Sequence, residues 1–438
     1  MTKILLVGNG AREHAIAETL EKSRHRPRIY AYMKANNPGI LTYAEGVELG
    51  SYSATHQIAA FAKKVGVEFA IIGPEEPLKH GVADALAKEG IPCIGPKRIL
   101  AQLETSKSFT RSLLDTYKIP GNPLFASFTR ESIANADAFV RDIRQFVVKP
   151  DGLTGGKGVW VQGDHFRTKE EGIAYARECL QDHPRVIIEE KLEGEEFSLQ
   201  CLTDGETVVA MPAVQDHKRA FEDDKGPNTG GMGSYSCPDH LLPFLTRKDV
   251  EEGLEITKKV CRALYEEAGD PYIGVMYGGF MKTKKGVRLI EYNARFGDPE
   301  TMNVLPILKT DFVDICRAMI DSKLETVGIE FAKKATVCKY IVPEGYPSNP
   351  AKGGKIEVDE SADAYFYYAA VEGKEDGIHM SPSRAVGVVG IADTLEEAER
   401  IAEDGCSRVK GKVYHRRDIG TRQLIQKRID HMDSIMKP

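Results

Sequence analysis

The feature that most restricts the fold of this chain is an apolar strand followed at once by a glycine-dense turn. The strand covers residues 147–149 and ends in Lys149, the turn covers residues 150–158, and a second strand begins at Val159. Glycines in such a turn let backbone N–H groups approach phosphate oxygens, and Lys149 and Lys157 add positive charge. A lysine at a strand end or a glycine-rich turn is by itself more often structural. The combination predicts a site for nucleotide phosphates.

A second motif, far along the chain, places three polar residues at alternating positions. Glu291, Asn293 and Arg295 follow an apolar stretch, and side chains two residues apart on a strand point to the same face. A carboxylate and an amide oxygen are suitable ligands for Mg²⁺, which binds nucleotide phosphates through few protein groups. An exposed strand face is the simpler alternative. Together with the glycine-dense turn, the motif predicts a site for ATP and Mg²⁺ or Mn²⁺.

Length, charge and cysteine usage restrict the class of protein. A chain of 438 residues is too long for one hydrophobic core, so we expect two to four domains. The formal net charge of −6 gives no electrostatic reason to bind nucleic acid or an anionic membrane, and no apolar run approaches the ~18 residues of a membrane span. The eight cysteines are scattered, and the first strand begins without a signal peptide before it. We expect a soluble, cytoplasmic protein with reduced thiols.

The N-terminal part alternates strand and helix patterns over residues 3–95, which predicts an α/β domain with a parallel sheet. Its first strand turns into a helix between Gly8 and Gly10. A dinucleotide-binding fingerprint is weak here because Glu13 replaces the third glycine. A tight strand-to-helix turn and a phosphate bound at the helix N-terminus, beside Arg12, are about equally consistent with the motif.

Two further segments carry expectations about local structure. Apolar residues at three- and four-residue steps predict one helix over residues 96–117. Residues 215–233 contain so many charged and glycine residues that we expect a loop that cannot pack a core. A loop of that length inside a compact domain is usually functional.

The order of several motifs resembles the ATP-grasp ligases. The motifs are Ser106-Lys107, Lys149 with the glycine-dense turn, Glu189-Glu190-Lys191-Leu192, and Glu291-x-Asn293-x-Arg295. Within that superfamily, residues 8–14, 215–219, 226–233 and 295–300 are similar to the phosphoribosylamine–glycine ligase family, and residues 416–420 also fit it. The similarity covers essentially the whole chain.

The resemblance implies a nucleotide site with a defined order of residues. Lysines would contact the ATP phosphates under the glycine-dense turn, the residues after the next strand would flank the adenine, and Glu196 would bind the ribose hydroxyls. The residues implied in ATP binding are Lys107, Lys149, Gly152, Gly155, Gly156, Lys157, Gly158, Glu189, Lys191, Leu192 and Glu196. Glu291 and Asn293 would bind the metal.

The resemblance also implies residues for catalysis and for the second substrate. Arg295, Lys218 and Arg219 would face the phosphates or an acyl-phosphate intermediate. The residues implied in substrate binding are Gly8, Asn9, Gly10, Arg12, Glu13, Asp216, Asn228, Thr229, Gly230, Gly231, Asp298, Pro299 and Glu300. The chain departs from the pattern at Gly278-Gly279, where many ATP-grasp enzymes have another acidic metal ligand, and at residues 368–371, which replace the family's His-Ala-Gly-Thr.

The resemblance implies an α/β multidomain fold. A parallel α/β substrate-binding domain would cover residues 1–103, a mobile lid residues 122–188, and a small mixed domain residues 326–438. The ATP-grasp core would combine residues 104–121 and 189–325. The lid's glycine-dense turn would close only over bound nucleotide.

The implied reaction is the ATP-dependent ligation of glycine to 5-phosphoribosylamine through glycyl phosphate, in purine biosynthesis. Two alternatives are another ATP-grasp carboxylase or ligase and a nucleotide-sensing protein that is not an enzyme. The motifs at 215–219 and 295–300 argue against the first, and the presence of Lys149, Glu291 and Asn293 argues against the second. For the oligomeric state, a monomer is slightly favoured.

Overall fold

The computed structural model describes residues 2–153, 158–361 and 363–437. It has the multidomain α/β architecture that the sequence predicts. No helix in the described ranges is long and apolar enough to cross a membrane. All eight cysteine side chains are buried and free.

The N-terminal domain is built on a five-stranded parallel sheet in the order β3-β2-β1-β4-β5. Its strands are β1 (Lys3–Val7), β2 (Arg28–Met33), β3 (Ala44–Leu49), β4 (Phe69–Ile72) and β5 (Cys93–Ile94). Its helices are α1 (Ala11–Glu21), α2 (Pro38–Tyr43), α3 (Thr55–Val65), α4 (Glu75–His80) and α5 (Val82–Lys88). The alternation of strands and helices places the first turn, with Gly8 and Gly10, at the carboxyl edge of the sheet, where α/β proteins bind ligands.

The segment predicted as one helix over residues 96–117 is two helices. They are α6 (Gln102–Thr105) and α7 (Lys107–Thr116). Ser106 between them is extended, with φ −141°, and its hydroxyl accepts a hydrogen bond from the backbone N–H of Phe109 at 3.1 Å. A serine that caps the next helix ends the previous one. The single-helix prediction was therefore wrong at Ser106.

Residues 125–190 form a four-stranded sheet in the order β6-β9-β7-β8, covered by two helices. The strands are β6 (Phe125–Phe128), β7 (Phe146–Pro150), β8 (Trp160–Val161) and β9 (Val186–Glu190), and the helices are α8 (Ala136–Val140) and α9 (Lys169–Asp182). The apolar residues of this unit pack together in a cluster of their own. Strand β7 ends with Lys149 and Pro150, just before the turn.

The core sheet is antiparallel in the order β11-β10-β16-β17. Its strands are β10 (Gly194–Asp204), β11 (Val208–Ala210), β16 (Ile273–Thr283) and β17 (Gly286–Asn293). The 22-residue helix α10 (Arg247–Ala268) packs on this sheet and was not identified from the sequence. Two shorter helices follow, α11 (Thr301–Val304) and α12 (Phe312–Ile320).

The C-terminal domain contains a sheet in the order β12-β15-β18-β23-β20, with β25 paired to β18, and a sheet in the order β21-β22-β19-β24. A separate hairpin joins β13 to β14. The strands are β12 (Gln215–Asp216), β13 (Arg219–Phe221), β14 (Lys225–Asn228), β15 (Gly233–Ser236), β18 (Ala335–Pro343), β19 (Lys355–Val358), β20 (Tyr365–Tyr368), β21 (Val371–Lys374), β22 (Gly377–Met380), β23 (Val386–Ala392), β24 (Val409–Lys410) and β25 (Val413–Tyr414). The helices are α13 (Leu395–Ser407) and α14 (Arg422–Met436). Short 3₁₀ helices lie at Ile133–Asn135, Glu222–Asp224, Leu305–Ile307 and Leu324–Thr326.

The expectation that residues 215–233 form a loop without a core was wrong. Strands β12 and β15 belong to the C-terminal sheet, and Met232 is completely buried. Polar residues of this segment are also buried because they find partners: Gln215 donates to the carbonyl of Glu196 at 3.0 Å and accepts from the Tyr235 hydroxyl at 2.8 Å. Composition excludes a core only where polar groups lack hydrogen bonds.

Candidate active site

The lysine at the end of β7 is held in a buried network of three charges. Lys149 Nζ lies 2.7 Å from Glu189 Oε2, and Arg111 binds both oxygens of Glu189 at 2.6 and 2.9 Å. Arg111 also donates to the carbonyls of Leu289 and Ile290 at 3.1 and 2.7 Å. Burial alone would raise the pKa of Glu189, but the charges and hydrogen bonds of Arg111 and Lys149 lower it to about 2. The network fixes Lys149, at the end of β7, against strand β17, where its Nζ lies 3.4 Å from the carbonyl of Ile290.

The start of the glycine-dense turn is anchored to the N-terminus of α7. Lys107 Nζ donates to the carbonyl of Gly152 at 2.7 Å. The carboxylate of Asp151 accepts from the Ser106 hydroxyl at 3.1 Å and from the backbone N–H of Ser108 at 3.2 Å. On the far side of the turn, the carbonyl of Gly158 accepts from the Tyr175 hydroxyl at 2.8 Å. The predicted residues Gly155, Gly156 and Lys157 lie outside the described residues.

A β-bulge turns the predicted metal ligands toward this cation cluster. Gly279 of β16 pairs with Glu291 whereas the next residue, Phe280, pairs with Leu289, so Ile290 is the extra residue. A bulge shifts which side chains face which side of a sheet. Before the bulge Leu289 is buried, and after it Tyr292 is buried against α10 by a 3.0 Å contact with Thr257.

Glu291 and Asn293 therefore share the face opposite the core. Arg295 lies two residues beyond the end of β17, so the expectation of three residues on one strand face holds for the first two alone. Glu291 Oε1 lies 3.7 Å from Lys218 Nζ. Burial would raise the pKa of Glu291, but Lys218, Lys149 and other nearby cations lower it. An ionised carboxylate beside an amide oxygen is a donor set that fits Mg²⁺ or Mn²⁺.

The residues that follow β9 and begin β10 form the next part of the cleft. Lys191 Nζ donates to the carbonyl of Gln162 in the lid at 2.9 Å, and Leu192 beside it is partly exposed. Glu196 is 48% exposed and lies 3.5 Å from Lys218 Nζ. Burial would lower the pKa of Lys218, but Glu196, Glu291 and Asp216 raise it. The ammonium group therefore stays charged between two carboxylates.

The two predicted catalytic arginines have different surroundings. Arg295 is 16% exposed, and its guanidinium lies 3.0 Å from Glu104 Oε1, 3.5 Å from Glu75 Oε2 and 3.2 Å from Asn293 Oδ1. Arg219, on the hairpin, binds Asp164 at 2.7 Å and the carbonyl of Gly226 at 2.9 Å. Arg295 is thus beside the predicted metal ligands, and Arg219 connects the hairpin to the segment that follows β8.

A cavity of about 190 Å³ lies where the N-terminal and C-terminal domains meet. Five of the predicted substrate residues line it: Asn9, Gly10, Arg12, Glu13 and Asp298. It is also lined by Tyr52, Pro74, Ala369, Ala370, Ser383 and Arg384, which were not predicted. The segment at 368–371, which departs from the family's pattern, is therefore part of the cavity wall.

Some predicted substrate residues use their side chains inside the protein. Glu13 caps its own helix: one oxygen accepts from the backbone N–H of Gly10 at 2.6 Å and the other pairs with Arg12 at 2.5 Å. Gly8, with φ +137°, packs against this Glu13 side chain. Glu300 is buried and accepts from the Tyr277 hydroxyl at 2.7 Å.

The predicted residues 228–231 form the edge of the site near Asp216. Asn228 pairs with Arg219 across the hairpin, and Thr229 binds the carbonyl of Lys218 through its N–H and its hydroxyl, at 2.7 and 2.9 Å. A Cβ atom on Gly231, at φ +112°, would lie within 3 Å of Asp216 and Pro299, so this position requires glycine.

Asp216 itself is a candidate for a hydrogen bond to a ligand. One of its oxygens is buried without a hydrogen-bond partner among the described residues. Burial and the neighbouring Glu300 carboxylate raise the pKa of Asp216 well above its usual range. A buried oxygen that lacks a partner is a costly feature in a folded protein, and it is a common feature of binding sites.

Arg384 is the most informative residue that the sequence did not identify. One of its nitrogens donates to the carbonyls of Gly230, Gly231 and Asp298 at 2.6, 3.1 and 3.1 Å. The guanidinium lies 4.5 Å from the ring centre of Tyr340, whose hydroxyl binds Asp298 at 2.5 Å. Arg384 is separated from the residues whose carbonyls it binds by 86 to 154 positions, so no local pattern could have found it.

A second group of possible ion ligands lies away from this cleft. His25, Asp311 and Asp314 are close enough to share an ion. Their atoms are already paired, because Asp314 binds Arg24 and His25 at 2.5 and 2.6 Å, and Asp311 caps α12. The group therefore serves contacts between the N-terminal domain and α12.

Comparison with known proteins gives three consecutive matches to family models. The models are described as the phosphoribosylglycinamide synthetase N domain, ATP-grasp (A) domain and C domain, and they match residues 2–104, 105–301 and 336–422. The chain is 48% identical to a phosphoribosylamine–glycine ligase of Methanocaldococcus jannaschii, over 99% of this chain and 100% of the relative.

Solved structures agree in fold. A phosphoribosylamine–glycine ligase of Thermotoga maritima superposes with a TM-score of 0.80 at 26% identity, covering 95% of this chain and 100% of that one. The biotin carboxylase domain of the 2-oxoglutarate carboxylase of Hydrogenobacter thermophilus reaches a TM-score of 0.73 at 16% identity, with 99% and 94% coverage. The second similarity concerns the fold alone.

Proposed function

The chain belongs to the phosphoribosylglycinamide synthetase family, and from this premise we propose how its residues catalyse the ATP-dependent ligation of glycine to 5-phosphoribosylamine. The protein is an ATP-grasp ligase of purine biosynthesis. The observation that carries the assignment of residues is the position of two lysines: Lys218 Nζ lies 3.7 Å from Glu291 Oε1, and Lys149 Nζ lies 3.4 Å from the carbonyl of Ile290 beside it. These cations and Lys107 lower the pKa of Glu291. Cations placed around one carboxylate match the phosphate end of ATP with its metal ion.

The reaction proceeds in two steps. A carboxylate oxygen of glycine attacks the γ-phosphorus of ATP, which forms glycyl phosphate and releases ADP. The amine of phosphoribosylamine then attacks the acyl carbon, the C–O bond to phosphate breaks, and the amine loses a proton. The products are glycinamide ribonucleotide and phosphate. No protein nucleophile is required, because the phosphoryl group itself activates the carboxylate.

The residues at the phosphate end act by position and charge. Lys149 and Lys107 bind phosphate oxygens, and the backbone N–H groups of the turn, including Gly152 and Gly158, surround them. Glu189 contributes by holding Lys149, because Arg111 and Lys149 already occupy its carboxylate. The backbone near Lys191 and Leu192 borders the adenine, and Glu196 binds the ribose hydroxyls.

The metal site consists of Glu291 and Asn293, with Gly279 opposite Glu291 offering no side-chain ligand. A bound Mg²⁺ or Mn²⁺ neutralises charge on the phosphates. Arg295 and Lys218 lie next to these ligands and stabilise the acyl phosphate, and Arg219 adds positive charge from the hairpin. Holding the reactants in one geometry can contribute ~7–11 kcal/mol to lowering the barrier.

The cavity between the N-terminal and C-terminal domains binds phosphoribosylamine. Asn9 and Arg12 from the first turn contact its polar groups, with Asp298 on the opposite wall. Asp216 and residues 228–231 lie between this cavity and Lys218, on the side where glycine must meet the amine.

The protein functions in the cytoplasm as a soluble enzyme.

The reaction is tested by measuring ADP release with each substrate omitted in turn. We expect ADP formation to require glycine and phosphoribosylamine together, because the closed site protects an acyl phosphate from water. Alanine in place of glycine and bicarbonate in place of glycine are the controls. Equal ADP formation with either control would contradict the proposed function.

The metal assignment is tested with Glu291→Gln, which keeps the shape of the side chain and removes its charge. We expect the variant to fold normally and kcat to fall by about 100-fold or more, since a metal ion contributes several kcal/mol to phosphoryl transfer. Glu255→Gln on α10 is the matched control, because Glu255 is exposed and pairs only with Lys258 among the described contacts. Wild-type activity of Glu291→Gln at ordinary Mg²⁺ concentrations would refute the assignment.

A further inference from the structure

The C-terminal helix α14 packs behind the ribose side of the proposed nucleotide site. The family models end at residue 422, where this helix begins, and they assign nothing to it. Leu424 and Met432 are buried and attach the helix to the rest of the protein. Two of its polar residues, Arg428 and His431, face the start of strand β10.

The residue that they contact is Glu195. Its side chain is 6% exposed, with His431 Nδ1 at 2.6 Å and Arg428 Nε at 3.6 Å. Glu195 and Glu196 are successive residues of one strand, so their side chains point to opposite faces. Glu195 lies on the buried face, and Glu196 faces Lys218 across the cleft.

Arg428 has a second partner on the hairpin. Its Nη2 lies 2.5 Å from Asp224 Oδ2, in the turn between β13 and β14. Asp224 also pairs with the buried Arg416 at 3.2 Å. The hairpin follows Lys218 directly, so one guanidinium joins the strand that carries Glu196 to the segment that carries Lys218.

We propose that Arg428 is a positioning residue for ATP, which fixes the distance between Glu196 and Lys218 by bridging Glu195 and Asp224 from behind the site. The proposal rests on the proposed function in that Glu196 contacts the ribose. Arg428 itself touches no substrate. Its Nη2 is hydrogen-bonded to Asp224, whereas its Nε has no hydrogen-bond partner among the described residues and attracts Glu195 by charge at 3.6 Å. One guanidinium therefore holds a carboxylate of each segment.

The experiment compares Arg428→Met with Arg422→Met in the full-length protein. Arg422 lies on the same helix, is exposed and has no side-chain partner among the described contacts. Calorimetry gives the Kd of ATP–Mg²⁺ without glycine, and initial rates give kcat and the KM values for ATP and glycine. For Arg428→Met we expect Kd and KM for ATP to rise about tenfold, which corresponds to the loss of one well-placed charged contact. We expect kcat and the KM for glycine to stay near those of Arg422→Met, and the melting temperature to fall by a few degrees, because the buried Glu195 loses one of its cations.

Two further variants separate positioning from general structure. Asp224→Asn removes the hairpin end of the bridge and also the pairing of Arg416, so it should raise the Kd for ATP at least as much as Arg428→Met does. Adding Arg428→Met to Asp224→Asn should raise the Kd little further, because the bridge is already broken. Arg428→Lys should give an intermediate Kd, because it keeps the charge and loses the second donor group. A Kd for ATP in Arg428→Met equal to that of Arg422→Met would overturn the proposal. So would losses of kcat and glycine affinity as large as the loss of ATP affinity.

Failure of the proposed function would be seen separately. Glu196→Gln, measured in the same titration, should weaken ATP binding if Glu196 contacts the ribose. An unchanged Kd in Glu196→Gln would refute the role of Glu196, and with it the route by which Arg428 acts. A weakened Kd in Glu196→Gln together with an unchanged Kd in Arg428→Met would refute the role of Arg428 alone.

Discussion

Single residues in the cleft show how burial decides the state of a charge. Glu189 is almost completely buried, yet its carboxylate is ionised because Arg111 and Lys149 both bind it. The sequence predicted Lys149, since it lies between an apolar strand and a glycine-dense turn. It could not predict Arg111, which is 78 positions from Glu189 and looks like an ordinary residue of a helix.

The acid dependence of stability tests this network. The pKa of Glu189 is about 2 in the folded protein, against 4.5 for an unperturbed glutamate. A carboxylate whose pKa is lower in the folded than in the unfolded protein stabilises the fold at any pH above its unfolded pKa. This stabilisation is lost as the pH falls from the unfolded pKa through the folded pKa. We expect the wild type to lose on the order of 3 kcal/mol from this group between about pH 4.5 and 2.

The measurement is urea unfolding of the wild type and Glu189→Gln at several pH values. The free energy of unfolding should be higher for the wild type at pH 7, because the variant leaves two buried cations without their anion. The difference should narrow as pH falls below 4.5. A difference that is the same at pH 7 and pH 3 would mean that Glu189 is not ionised in this network. Glu255→Gln, at an exposed pair, should differ little from the wild type throughout.

Elements were predicted well where their signal is local. The alternation of strands and helices in the N-terminal domain and strands β7 and β17 were found from apolar patterns, because period and length are local properties. The break at Ser106 and the bulge at Ile290 were missed. The break depends on one side-chain hydrogen bond of Ser106, and the bulge depends on how β17 pairs with β16. The residue pattern of one segment does not contain that information.

The lid remains a prediction, and Trp160 offers a way to test it. Trp160 is the one tryptophan in the sequence, so its fluorescence reports a single place. Its ring stacks on that of Tyr175, with 3.8 Å between the ring centres. The hydroxyl of Tyr175 donates to the carbonyl of Gly158 at the end of the turn. We expect ATP–Mg²⁺ to change the emission of Trp160 and to slow amide exchange in residues 158–161, because phosphates supply partners for the turn.

Glycine alone should leave both signals unchanged. Tyr175→Phe keeps the ring stack and removes the hydrogen bond to Gly158, so it should reduce the protection that ATP–Mg²⁺ provides. Tyr265→Phe is a suitable control because Tyr265 is exposed on α10. Equal amide protection with and without ATP–Mg²⁺ would mean that the turn is preformed and that no lid closes over the nucleotide.

At the scale of the whole molecule, the cavity that we propose for phosphoribosylamine depends on contacts between distant parts of the chain. Strand β15 pairs with β18, about 100 positions later, and this pairing brings residues 228–231 against the C-terminal domain. Asn37, completely buried, binds the carbonyls of Asn9 and Tyr368 at 2.9 and 2.7 Å. The sequence predicted one wall of the cavity through its motifs at residues 8–14 and 295–300. It could not predict the other wall, because the segments that form it carry no recognisable motif.

Arg384 is the charged residue on that second wall, and its removal should affect one substrate specifically. It holds the carbonyls of Gly230 and Gly231, stacks on Tyr340 and lies 3.4 Å from Asp298. A hydrogen bond to a charged group contributes ~1.5–3 kcal/mol, so we expect Arg384→Met to raise the KM for phosphoribosylamine at least about tenfold.

The Kd for ATP–Mg²⁺ should not change, because none of the contacts of Arg384 involves Lys107, Lys149 or Glu291. Arg384→Lys should give a KM between those of the wild type and Arg384→Met, since a lysine keeps the charge but loses the planar group that stacks on Tyr340 and the second nitrogen that pairs with Asp298. Arg408→Met, at an exposed position of the same domain, is the control. Equal losses for ATP and phosphoribosylamine would show that Arg384 supports the domain arrangement as a whole, whereas an unchanged KM for phosphoribosylamine would place that substrate outside the cavity.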